Sequence, residues 1–142
     1  MRHWSSLSWV LVSFALITAG CGANLAPVLE VRSEPVTLPS GTAPTAPAVR
    51  DAIVRALAHR GWTVVSEQGP AITARVQAMG HWAIARIDYT GSAYSITRVD
   101  SSPGLKFDGE RIHRHYNHWI DRLRASIAEE LAIPSRDAHA PR

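Results

Sequence analysis

Three histidines fall within six residues in the run Ile112-His113-Arg114-His115-Tyr116-Asn117-His118-Trp119. Imidazole nitrogens ligate zinc and copper, so this run is the first place to look for metal chemistry. In a helix His115 and His118 share a face, whereas His113 lies roughly 140 to 160° around the axis at 3.6 residues per turn. A carboxylate on the His118 face, Asp121, completes a candidate metal site of His115, His118 and Asp121, with His81 as a more distant donor. The same residues have a structural reading. Histidines at a helix start cap, stack or face solvent, and Tyr116-Asn117-His118-Trp119-Ile120 reads as a corner in which Asn117 bonds the preceding loop, Ser101 to Arg111. The corner is the preferred reading, and no cofactor is expected.

The one cysteine, Cys21, ends the stretch Leu16-Ile17-Thr18-Ala19-Gly20-Cys21. Arg2 and His3, an uncharged apolar segment from Trp9 to Ala19, and the small pair Ala19-Gly20 follow the three-part logic of an export signal. The apolar segment is shorter than the roughly 20 residues that span a bilayer core. The stretch resembles a bacterial lipobox, with Thr18 where lipoboxes favour leucine. By that resemblance cleavage leaves Cys21 as a lipidated N-terminus, and Gly22 in place of Asp points to the outer membrane. A plain cleaved signal with an incidental cysteine is the competing reading. A lone thiol forms no internal disulfide, so packing must hold the fold.

The loop Asp100 to Glu110 offers Asp100, Asp108 and Glu110, but their spacing does not match an EF-hand. Asp108-Gly109 reads as turn chemistry, and Leu105 and Phe107 are expected to tuck under the last helix. Ser101 or Ser102 with His81 and Asp88 is a conceivable hydrolytic trio, yet no G-x-S-x-G elbow accompanies it. The chain is therefore expected not to be an enzyme.

Of the 15 Lys and Arg residues, cleavage before Cys21 removes only Arg2, leaving 14 against 12 acidic residues. That near balance, without a basic cluster, excludes a nucleic-acid groove. Lys106 is the only lysine. Residues 1–20 are read as the signal peptide, 21–46 as the lipidated cysteine and a Pro/Ala/Thr-rich tether, 47–133 as one domain, and 134–142 as a flexible tail. Within the tether, Val28 to Arg32 could add a strand.

The elements that must position these residues follow from periodicity. Pro47 to His59 reads as a helix closed by Gly61, with Val49, Ile53 and Leu57 every fourth residue. Trp62 to Glu67, Ile72 to Ala78, His81 to Tyr89 and Ala93 to Val99 read as strands. A two-residue turn at Gly91-Ser92 sets Tyr89 opposite Tyr94 and Ile87 opposite Ile96, gathering the large apolar residues on one face. Tyr116, Ile120, Leu123, Ile127 and Leu131 stripe a last helix from about Ile112 to Leu131, with Glu129 and Glu130 outside the stripe. The fold class is α+β: a two-layer sandwich in the order α-β-β-β-β-α, an antiparallel sheet of about four strands with both helices on one face. Trp62, Trp82 and Ile84 are apolar residues surplus to that core. Cover by the Val28 to Arg32 segment and a partner surface are equal readings of them.

From Trp82-Ala83-Ile84-Ala85-Arg86-Ile87-Asp88-Tyr89 through Leu105-Lys106-Phe107-Asp108 to Tyr116-Asn117-His118-Trp119-Ile120 and Leu123, the chain resembles a family of small uncharacterised Gram-negative lipoproteins. The resemblance implies a lipid-anchored protein of the cell envelope with one compact α+β domain, and it carries no activity or catalytic residue. The expectation is a membrane-anchored, non-enzymatic binding or assembly module facing the periplasm, with an envelope protein as partner. A metal-binding lipoprotein using the histidine cluster is the alternative.

Overall fold

A computed structural model describes residues 24–39 and 41–133. The expected signal peptide, Cys21 and the expected tail at 134–142 lie outside the described residues. Short strands β1 (Leu25–Pro27) and β2 (Val31–Pro35) come first, then helix α1 (Ala46–His59) and strands β3 (Trp62–Glu67), β4 (Ala71–Ala78), β5 (His81–Tyr89) and β6 (Ala93–Ser101). A 3-10 turn at Pro103–Leu105, strand β7 (Arg111–His113) and helix α2 (Arg114–Ala132) complete the chain. The fold is α+β, as the periodicity predicts. The main sheet is antiparallel in the order β2-β6-β5-β4-β3, and β1 pairs with β7 in a separate two-stranded ladder. Among the described residues no helix is long and apolar enough to cross a membrane.

Local chemistry explains the helix ends. Thr45 caps α1 by accepting from Ala48 N at 3.4 Å, and Pro47 occupies the first turn, where no amide partner is missed. At the other end Gly61 takes φ 72°, which lets the chain reverse into β3. The N-cap of α2 is His113, whose Nδ1 accepts from His115 N at 3.3 Å. The expected helix from Ile112 therefore starts two residues late. Its first residues pair with β1 instead, with Leu25 opposite His113 and Ala26 opposite Ile112.

The hairpin register is as read from the sequence: Ile87 lies opposite Ile96 and Tyr89 opposite Tyr94. Ile72, Ala74 and Val76 of β4 join Ala83, Ala85 and Ile87 of β5 on the buried face. Alanines at the paired positions 74 and 85 keep that face shallow beneath Ile53, Leu57, Tyr116, Ile120, Leu123 and Ile127, all fully buried. The last helix's apolar stripe is thus the one expected. Glu130 departs from the pattern: it is buried, accepting from Arg55 Nε at 2.7 Å and lying 3.0 Å from His59 Nδ1. With Arg60 Nε donating to Ser126 Oγ at 2.6 Å, it stitches α1 to α2 through polar groups.

Part of the segment expected as a tether, 21–46, carries strands. Residues 25–27 pair in the two-stranded ladder and 31–35 in the main sheet, so the added strand of the main sheet lies at Val31–Pro35 rather than Val28–Arg32. A composition too polar to form its own core still folds here, because its backbone groups find partners elsewhere. Val28 N donates to Glu110 O at 2.9 Å and Val36 N to Ser92 O at 2.8 Å.

Gly91 packs against the backbone that enters α1. A Cβ there would meet Pro44 O at 2.8 Å and Ala46 N at 3.3 Å, both backbone atoms that cannot swing aside. The Gly91→Ala chain is expected to lose about 1 to 3 kcal/mol through overpacking. Urea unfolding monitored by tryptophan fluorescence, with an unchanged dependence on denaturant, checks this.

Candidate functional site

Three surfaces hold the residues singled out by type and spacing: the outer face of the sheet, the end of the domain where β5 begins, and a cleft between β2 and α2. On the outer face Trp82 and Ile84 are half-buried among Thr73, Arg75, Gln77, Arg86 and Thr97. The Arg75 guanidinium lies 5.1 Å from the Trp82 ring, a cation–π contact. β2 runs in the plane of the sheet beside β6, so the N-terminal segment covers neither residue. Trp62 does not belong to this surface. It opens β3 opposite Val76, points to the core and is 4% exposed, which corrects its reading as a partner contact.

The histidines are divided differently from their sequence spacing. The rings of His113 and His115 meet edge to face with centroids 4.5 Å apart. His118 and Asp121 are exposed on α2. Among the described residues no group of three or more His, Cys, Asp or Glu is placed to hold a metal ion. His81 packs against Gly104, where an added Cβ would fall 2.4 Å from its Cε1. Burial holds the His113 imidazole below its ordinary value, and the neighbouring His115, His81, Lys106 and Arg114 charges act in the same direction. Two buried polar atoms here, His115 Nδ1 and Tyr116 Oη, have no hydrogen-bond partner among the described residues.

The hydrolytic trio is not gathered. Ser102 is buried and its Oγ accepts from Trp82 N at 3.1 Å, while Ser101 Oγ accepts from Arg98 at 2.9 and 3.1 Å. Asp88 is paired with Arg86 seven residues along β5 from His81, roughly 23 Å at the rise of a strand. In the loop Leu105 is buried as expected, whereas Phe107 remains 37% exposed with the Arg98 guanidinium 3.6 Å from its ring centroid. Asp108 forms the expected turn, its Oδ1 accepting from Glu110 N at 3.1 Å and Arg111 N at 2.7 Å.

Asn117 ties the corner, though to a different strand of chain from the one expected. Its Oδ1 accepts from Leu29 N at 2.9 Å and its Nδ2 donates to Pro27 O at 2.8 Å, so it holds the link between β1 and β2 instead of the 101–111 loop. An Asn at the start of a helix offers both a donor and an acceptor, which one extended segment can satisfy at once. Asn117→Ala leaves both backbone groups unpartnered. It is expected to cost about 1 to 3 kcal/mol and to speed amide exchange at Leu29 selectively; hydrogen-exchange mass spectrometry reads both.

The cleft was not anticipated. It measures about 440 Å³ and is open on one side, lined by Glu34, Pro35 and Thr37 near β2, Tyr94 of β6, and Asp121, Arg124, Ala125, Ala128 and Leu131 of α2. That volume lies within the range of sites that hold small ligands or a few side chains. Arg124 Nη2 donates to Glu34 Oε1 at 3.0 Å across it. Its floor is the Tyr94 side chain, only 3% exposed. Burial raises the Tyr94 phenol to about 12, Glu34 adds to the rise and Arg124 opposes it. Two residues legible in the sequence line this site: Asp121, singled out as a candidate ligand, and a tyrosine on the buried face of the hairpin next to the edge strand.

A phenol whose proton is held more tightly in the fold than in the unfolded chain contributes stability that is complete below the ordinary value of 10.0 and is lost as pH rises through about 12. Tyr94→Phe is expected to lose less stability than the natural chain across that window. Unfolding followed at stepped alkaline pH, alongside phenolate absorbance, tests the difference. Comparison of the chain with protein-family models, curated proteins and solved structures finds no match.

Proposed function

We propose that this chain is a lipid-anchored envelope lipoprotein, tethered through Cys21 to the outer membrane and facing the periplasm, whose domain binds a partner and does not transform it. The cleft between β2 and α2 carries this reading. It joins an apolar wall, Ala125, Ala128 and Leu131, to a pair of opposite charges, Glu34 and Arg124, above a buried phenol. Such a surface suits a segment of an envelope protein that presents an apolar side chain flanked by a charge. Its polar groups orient a bound segment, and the apolar wall supplies the area removed from water. Asp88 stands roughly 23 Å along β5 from His81, and the Ser101 and Ser102 hydroxyls are engaged by Arg98 and Trp82 N, which supports binding over hydrolysis.

Photo-crosslinking in cells tests the reading. A crosslinker at Ala128 is expected to capture one dominant envelope protein, and the same group at Gln68, in the β3–β4 turn, is expected to capture none. Cys21→Ser should weaken or abolish the adduct. Arg124→Glu, which sets two carboxylates across the cleft, should abolish it while costing the fold only about 1 kcal/mol, the scale of an exposed ion pair. Absence of a reproducible adduct at Ala128 would remove the binding-module reading.

A further inference from the structure

The first described residue is fastened to one end of the domain. Asn24 O accepts from Arg114 N at 2.9 Å and Asn24 Oδ1 from Arg114 Nη2 at 3.1 Å, after which β1 runs along β7. Only Gly22 and Ala23 separate Asn24 from Cys21. Even fully extended, that link reaches roughly 11 Å. A lipid on Cys21 therefore holds this end of the domain at the depth of the headgroups, since these occupy only about 5 to 8 Å on each side of the hydrocarbon core.

The same end displays apolar side chains that the core does not use. Met79 is 68% exposed at the tip of the β4–β5 turn, with φ 51° ahead of Gly80 at φ 76°. That left-handed conformation is sterically disfavoured for any side chain and suits Asn or Gly, so methionine is not there for the turn's sake. Val99, the bulged residue near the end of β6, is 52% exposed, and Phe107 lies in the following loop beside exposed Lys106. Trp82, half-buried a few residues from the Met79 turn, supplies an indole of the kind that settles at a membrane–water boundary. At the opposite end the turns Gln68-Gly69-Pro70 and Thr90-Gly91-Ser92 present no large apolar side chain, and the exposed Val65 in β3 and Ile133 after α2 lie outside those turns.

We propose that the end of the domain bearing Asn24, Met79, Lys106 and Phe107 docks on the phospholipid surface, with Met79 and Phe107 entering the headgroup–acyl boundary and Lys106 meeting lipid phosphates. This rests on the lipidation of Cys21 stated above. It adds an orientation: Glu34 and Tyr94 pair near the far end of β6, so the cleft is held away from the bilayer, where a periplasmic partner can reach it. Shallow apolar insertion combined with a cation is how peripheral segments strengthen a lipid anchor.

The test uses the full lipoprotein, purified from membranes and reconstituted in vesicles of phosphatidylethanolamine and phosphatidylglycerol. Cys21 is the sole cysteine, so once it is a thioether, a new cysteine is the only free thiol. A fluorophore on Met79→Cys is expected to be quenched by a lipid-borne quencher several-fold more than one on Gln68→Cys. The Lys106→Glu/Phe107→Ser variant should bring the two closer together. Equal quenching at both positions, or a ratio untouched by that double variant, overturns the docking surface while leaving the anchor standing. An intact mass without the diacylglyceryl group, or a reactive Cys21 thiol, overturns the anchor itself and the docking with it.

Discussion

The register of β5 is the constraint on which the rest of the structure depends. It is the central strand, and its alternate residues Ala83, Ala85 and Ile87 are fixed by two neighbours at once, β4 on one side and β6 on the other. A slip of one residue would carry Arg86 and Asp88 into the interior, so both ladders resist it together. The bulge at Val99 then resets the phase of β6. Without it Asp100 would lie opposite Ala83 on the buried face; with it Ser101 does, and Asp100 stays outside opposite Ile84. Arg98 remains on the inner side, its side chain 14% exposed, held by the Ser101 hydroxyl and the Phe107 ring. One extra residue thereby decides which polar groups approach Tyr116 and the histidine end of the domain.

The N-terminal segment shows how backbone hydrogen bonding can override composition. Pro, Ala and Thr supply little to bury, yet Leu29, Pro27, Val28 and Val36 all find backbone or Asn117 partners. β2 also caps an edge of the sheet, and its irregularity between Val31 and Glu34, followed by Pro35, discourages further strand addition. Under the proposed anchor at Cys21, the relation of the domain to a membrane changes with it. A free tether of some 25 residues would let the domain sample every orientation by chain flexibility, whereas a chain folded from Asn24 leaves almost no slack after Cys21.

Polar groups within the helix layer do a different job from those on the surface. Glu130 is 4% exposed and would be costly without Arg55 and His59, while Arg124 and Glu34 remain wet enough to exchange partners. The first set locks the antiparallel pairing of α1 and α2. The second lines the cleft and keeps its charges partly in contact with solvent.

Much of the fold was legible because it is local. The Gly91-Ser92 turn dictates the pairing of Tyr89 with Tyr94, the Pro47 and Gly61 boundaries delimit α1, and the period of Tyr116, Ile120, Leu123 and Ile127 declares the buried face of α2. The parts that were not legible depend on residues far apart in the chain. Asn117 meets Leu29 across 88 positions, Arg55 meets Glu130 across 75, and Arg124 meets Glu34 across 90. Trp62 illustrates the same point: its type suits core or surface equally, and only the register of β3 on β4 turns it inward. The sequence by itself determined the α+β class and the central hairpin, since each rests on near neighbours. Tertiary structure alone decided the five-stranded sheet, the cleft and the proximity of Asn24 to the Met79 end, because each requires closing a long loop whose entropy cost only the assembled core can offset.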